Sequence, residues 1–180
     1  LDALKDEQSQ GITIDSARAF FKTKKRDYII IDAPGHIEFL KNMISGAARA
    51  EAALLLIDAK EGIQENSKRH AYMLSMLGIK QVAVLINKMD LVDYSEQRYN
   101  EIVKDYKQFL TGMNIPDVNF IPMSALKGDN VVEGSENMPW YHGKSMLEFL
   151  ETVHVSSDRN FDDFRFPVQF VNRPSIDFRG

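Results

Sequence analysis

The 180 residues, 44% of them hydrophobic and 27% charged, suffice for one ordinary globular domain and part of a second. No apolar run approaches the roughly 18 to 20 residues of a membrane-spanning helix, and the chain opens on Leu1-Asp2-Ala3-Leu4-Lys5 rather than on a basic then apolar secretion signal, so no membrane partner is expected. A net charge of −4 gives no broad attraction for nucleic acid, and the absence of cysteine removes disulfides, thiolate metal sites and cysteine nucleophiles together, which suits a reducing, cytoplasmic setting.

Extended apolar runs alternate with helical patterns along the chain, the signature of parallel βαβ units. Ala17 to Lys22 and Asp27 to Asp32 read as two strands joined through Thr23-Lys24-Lys25-Arg26 in a hairpin, and Tyr28-Ile29-Ile30-Ile31 reads as a strand buried on both faces. Phe39, Leu40, Met43, Ile44, Ala47 and Ala48 then fall at helical spacing, before a strand over Ala52 to Ile57. Met73, Leu74 and Leu77 mark a helix that stops at Gly78, and Gln81 to Ile86 form the next strand. The best-defined helix carries Tyr99, Ile102, Val103, Tyr106, Phe109 and Leu110 on one stripe, with Gly112 past its end. Val118 to Pro122 read as a further strand, Lys127 to Lys144 as a long polar loop, and Ser145 to Val153 as a short final helix. The fold class expected is α/β, a three-layer α/β/α domain around a mostly parallel sheet, over residues 1–153. A linker follows over 154–164, and alternation at Phe166, Val168 and Phe170 marks the first strand of a β-barrel domain over 165–180.

Three short polar motifs lie where buried strands end, the place at which open α/β sheets bind ligands. In Asp32-Ala33-Pro34-Gly35-His36, Asp32 can hold a magnesium ion and Gly35 lets a backbone N–H approach a terminal phosphate, although Asp-x-x-Gly alone equally describes an ordinary turn. Asn87-Lys88-Met89-Asp90 is more telling. Guanine offers two adjacent N–H donors, on N1 and N2, and the Asp90 carboxylate can accept both; Asn87 suits the other edge of the base and the Lys88 stem can lie along the ring. Ser124-Ala125-Leu126 follows one βα unit later, where the Ala125 N–H can meet the guanine carbonyl and the Ser124 hydroxyl can brace Asp90.

These motifs resemble the GTP-binding proteins of the translation-factor superfamily, over nearly the whole chain. Gly11-Ile12-Thr13-Ile14-Asp15 is similar to that superfamily's first switch segment, which implies magnesium ligation by Thr13. Asp32 to His36 is similar to the second switch, which implies that His36 orients the attacking water. Gly128-Asp129-Asn130-Val131 with Met138-Pro139-Trp140-Tyr141 resembles the eukaryotic-type elongation factors. The run from Phe164 to Pro174, with Leu1 to Leu4 and Leu91 to Ser95, resembles the large, GTPase subunits of bacterial sulfate adenylyltransferases. The implied activity is coupling of GTP hydrolysis to adenylyl sulfate formation from ATP and sulfate, with GTP and Mg2+ as ligands and a small catalytic subunit as partner. An elongation or termination factor carrying a tRNA-like ligand, and a non-enzymatic scaffold, are the alternatives.

The resemblance also implies a Gly-x-x-x-x-Gly-Lys-[Ser/Thr] phosphate-binding loop, which these 180 residues do not contain. In the family that loop lies upstream of the first switch, on a strand beside the Asp32 strand. Together with Leu1 in place of an initiator methionine, this predicts a piece of a longer protein, one that binds GTP poorly by itself.

Overall fold

The computed structural model describes residues 16–35, 40–113, 115 and 117–155. Strands β1 (Ala17–Lys22) and β2 (Asp27–Asp32) form an antiparallel hairpin, with Ala17 opposite Asp32 and Lys22 opposite Asp27. Thr23 accounts for the turn: its N–H donates to Arg26 O, and its hydroxyl accepts from the N–H groups of Lys25 and Arg26. After α1 (Leu40–Ala47) come β3 (Ala52–Asp58), α2 (Glu65–Met76), β4 (Gln81–Asn87), a single 3-10 turn (Met89–Val92), α3 (Glu96–Leu110), β5 (Asp117–Pro122) and α4 (Met146–Thr152). The parallel sheet runs in the order β3-β4-β5, in one continuous register that sets Asp58 beside Asn87 and Ile86 beside Pro122.

Strand β4 is central, and its alternation builds both cores. Val82, Val84 and Ile86 face one side with Leu55, Ile57, Ala71, Leu74, Ile102 and Tyr106, under α2 and α3. Ala83 and Leu85 face the other with Ile121, Met123 and Phe149, under α4. Residues 82 to 86 are therefore buried without interruption, as a parallel strand covered on both faces should be. Helix α3 presents Ile102, Tyr106 and Leu110 at four-residue spacing. Its start is fixed by Ser95, whose hydroxyl accepts from Arg98 N, and Glu96 and Lys107 sit at the ends that suit their charge. Helix α4 opens on the capping sequence Ser145-Met146-Leu147-Glu148, with Ser145 accepting from Glu148 N. No helix among the described residues is long and apolar enough to cross a membrane.

The hairpin does not behave as its sequence suggests. Ile29 and Ile30 are 60% and 46% exposed, because among the described residues β2 pairs on one side only, with β1. Leu56, on the edge strand β3, is likewise 57% exposed. Helix α1 touches both sheets: Gly46 packs so closely that an added Cβ would lie 3.1 Å from the Ile31 side chain, while the next residue, Ala47, joins the core around Leu55 and Ile57. At the hairpin's turn, Arg26 donates to the carbonyls of Leu150 (3.2 Å) and Val153 (2.7 Å) at the end of α4, and Lys25 pairs with Glu151 at 2.7 Å.

The opposite edge of the parallel sheet is closed. Met123 N donates to Ile86 O of β4, so by the alternation of a parallel ladder Phe120 and Pro122 face outward. Pro122 has no N–H to offer, and its carbonyl accepts from Asn130 Nδ2 at 2.8 Å. Phe120 O accepts from the Tyr99 hydroxyl at 3.0 Å, while the Tyr141 hydroxyl, 3.3 Å away, places its one proton on Lys144 O at 2.9 Å. Burial pushes the Tyr99 phenol up to about 12, so it remains a donor at any ordinary pH.

Candidate functional site

The carboxyl ends of β3, β4 and β5 bring together residues far apart in sequence. Asp58 and Asn87 close their strands side by side, and Ser124 follows β5 by two residues. Because β4 runs through Asn87, one residue further than periodicity indicated, Asn87 is anchored in the ladder rather than placed in a loop.

Its amide oxygen then accepts two backbone N–H groups, from Lys88 at 2.8 Å and from Ala125 at 2.9 Å. The first closes a sharp turn in which Lys88 takes φ 63, a left-handed conformation costing a non-glycine residue about 1–3 kcal/mol. The second joins the two motifs. It also engages the Ala125 donor, so any ligand acceptor would reach that N–H by sharing or displacing the Asn87 oxygen. Beyond the turn, Met89 is fully buried and donates its N–H to Met123 O at 3.1 Å. Asp90 is thereby carried to the buried Ser124, whose hydroxyl donates to Asp90 Oδ1 at 2.6 Å. One carboxylate oxygen is occupied by this bond and retains a lone pair, while the second lies beside it. Leu126 is 86% exposed, a large apolar side chain left in solvent at the mouth of the site.

Lys88 is held by an ion pair. Its ammonium pairs with Asp58 Oδ2 at 2.7 Å, and Asp58 Oδ1 accepts from the N–H groups of Lys60 (2.8 Å) and Glu61 (3.1 Å). Burial raises the Asp58 carboxyl, but the Lys88 ammonium and the two N–H groups outweigh it, and the net shift is downward. Asp58 in turn raises Lys88. Asp58 is absent from the residues that the sequence singles out, although it ends an apolar strand just as Asp32 and Asn87 do, and that shared position is the available signal.

Asp32 ends β2, and after it Pro34 is buried and Gly35 exposed. The Gly35 carbonyl accepts from His70 Nε2 of α2 at 3.2 Å. Thr13 and His36 lie outside the described residues. Among the described residues no three His, Asp or Glu side chains converge as a metal centre. A hard cation beside phosphates takes most of its oxygens from water and the phosphates themselves, and a single carboxylate such as Asp32 fits that need.

Parallel strands, chemistry at their carboxyl ends and a carboxylate set to accept paired N–H donors define a nucleotide-binding α/β domain. The chain belongs to the family "Elongation factor Tu GTP binding domain", which it matches over residues 1–156. Among curated relatives, the chain is 57% identical over 180 residues to "Sulfate adenylyltransferase subunit 1" of Bacteroides fragilis, covering all of this chain and 38% of that protein. Among solved structures it is similar to the bacterial selenocysteine-specific elongation factor EF-Sec, with TM-score 0.64 and 27% identity over 85% of this chain and 25% of that one. It is also similar to sup35 complexed with GMPPNP, with TM-score 0.62 and 33% identity over 77% of this chain and 35% of that one. The chain thus spans about two fifths of the length of that curated relative.

Proposed function

We propose that the protein is the GTPase subunit of a sulfate adenylyltransferase. It binds GTP and couples its hydrolysis to the formation of adenylyl sulfate and pyrophosphate from ATP and sulfate, the adenylyl transfer taking place on a small catalytic partner subunit. The observation that carries the nucleotide half is the Asn87–Asp90–Ser124–Ala125 constellation. Asp90 accepts guanine N1–H and N2–H, the Asn87 amide nitrogen serves the other edge, Ala125 N–H turns to the carbonyl, and Lys88 and Leu126 flank the ring. Adenine would face Asp90 with an unprotonated ring nitrogen, leaving a buried polar group unpaired.

Thr13 and Asp32 would hold magnesium, which when bound neutralises charge on the phosphates. Gly35 N–H would meet the terminal phosphate, and His36 would hold the attacking water in line. The phosphates need a grip that this sequence does not contain. Among the described residues, the one-sided pairing of β2 and of β3, their exposed Ile29, Ile30 and Leu56, and the helix α1 packed on both support a slot for one further apolar strand carrying a phosphate-binding loop. The barrel domain expected over 165–180, and the linker before it from residue 156 on, lie outside the described residues.

The sulfate half rests on the 57% identity to a sulfate adenylyltransferase subunit. The likeness to EF-Sec and sup35, at 27% and 33% identity, favours a second reading, a translation-type GTPase. One pair of assays separates them, performed on the protein as encoded. Sulfate-dependent adenylyl transfer, stimulated by GTP in the presence of the small subunit, supports the first; aminoacyl-tRNA binding without such transfer overturns it.

A further inference from the structure

Tyr94 and Asp129 make none of the contacts proposed for GTP, yet they tie together the two segments assigned to the base. The stretch Met89–Val92 carries Asp90 and is bounded by left-handed residues, Lys88 before it and Asp93 and Tyr94 after it, with φ 63, 51 and 52. Non-glycine residues hold that conformation only where their surroundings impose it. Here Tyr94 N donates to Met89 O at 2.9 Å, Trp140 Nε1 donates to Tyr94 O at 3.1 Å, and Tyr94 OH donates to Asp129 Oδ2 at 2.8 Å. Asp129 is fixed from its own loop, its Oδ1 accepting from Ser135 Oγ and Asn137 Nδ2. Its carbonyl accepts from Ser124 N at 3.2 Å, in an isolated antiparallel bridge. Ser124 Oγ returns to Asp90. The result is a closed ring, Asp90 to Ser124 to Asp129 to Tyr94 and back along the chain to Asp90.

We propose that the Tyr94–Asp129 hydrogen bond is a positioning device for guanine discrimination, fixing the Asp90 carboxylate at the separation from Ser124–Leu126 that a guanine base requires. This rests on the guanine reading above. Opening the ring lets the Asp90 segment relax from its left-handed flanks and draws the carboxylate away from the 2-amino group, with the packing of the domain left in place.

The test is the ratio of GDP to IDP affinity, measured with the protein as encoded, because IDP lacks only the 2-amino group. Tyr94→Phe keeps the ring and removes one oxygen; Asp129→Asn keeps the size and removes the charge. Each is expected to lower the GDP-to-IDP preference about three- to tenfold, mainly through faster GDP release, and the double variant to fall no further than either single one. Melting temperature serves as the readout for a merely structural role. Equal weakening of GDP and IDP with a lowered melting temperature, or an unchanged ratio, overturns the proposal. Asp90→Ala separates the two levels. If it abolishes the preference while Tyr94→Phe does not move it, the positioning role fails and guanine recognition stands. If the unaltered protein does not prefer GDP over IDP, both fall.

Discussion

Replacing Asp90 with Asn changes one atom at the position on which the proposed guanine recognition depends. Ser124 Oγ donates to Asp90 Oδ1 at 2.6 Å, so an amide at this position keeps its oxygen on Ser124 and turns its NH2 to the place of Oδ2. There the amide nitrogen meets the guanine 2-amino group, donor against donor. A charge-assisted hydrogen bond is lost, about 1.5–3 kcal/mol, and an unpaired donor adds about 1–3 kcal/mol. The affinity for GDP should therefore fall by roughly two to four orders of magnitude. Xanthine carries a carbonyl at that position and accepts from the same NH2, so XDP should gain in Asp90→Asn while GDP loses. Competition of GDP and XDP against a fluorescent guanine nucleotide, on the full-length protein and its variant, measures both. A variant that still prefers GDP to XDP, at unchanged melting temperature, refutes the assignment of Asp90.

Residues 1–180 produced alone should show no tight, magnesium-dependent binding of GTP in a calorimetric titration, because the sequence contains no phosphate-binding loop; sub-micromolar affinity would overturn this. Arg26→Ala removes two charged hydrogen bonds to the end of α4, to Leu150 O and Val153 O, and should cost about 1–3 kcal/mol in denaturant unfolding. Burial holds the His70 imidazole below its ordinary value of 6.5, against the opposing hydrogen bond to Gly35 O, so the unfolded chain takes up the proton first as pH falls. His70 thus costs no stability above about pH 6.5 and an increasing amount below it, down to the depressed folded value. His70→Gln should flatten that part of the stability curve.

Much of the parallel half was legible in the sequence. The unbroken apolar run from Val82 to Ile86, the stripe through Ile102, Tyr106 and Leu110, and the Gly78 and Gly112 stops each state one structure, because local propensity and burial agree there. Strand β2 misled for a physical reason. An apolar β-branched run reports that a segment can be buried on both faces, and cannot report whether a neighbour is present to cover it; Ile29 and Ile30 lie exposed. At the site, Asn87, Asp90 and Ser124 could be read from their place after strands, but the Asn87–Ala125 bond could not. That contact depends on β4 and β5 standing in register, with Asn87 still inside the ladder. Tyr94 and Asp129 drew notice only as marks of resemblance; their bond spans 35 positions, and no local pattern encodes it.

The seal along β5 gives the sheet a direction of growth. With Pro122 offering no donor and the outward carbonyls of Phe120 and Pro122 taken by Tyr99 and Asn130, a stray strand arriving there finds the end of the ladder already used. Among the described residues, β2 and β3 each keep one unpaired side, which favours entry of additional β structure there. Misassembly and correct completion therefore compete for the same address, and Tyr99→Phe together with Asn130→Ala should open a second one, visible as concentration-dependent association in light scattering.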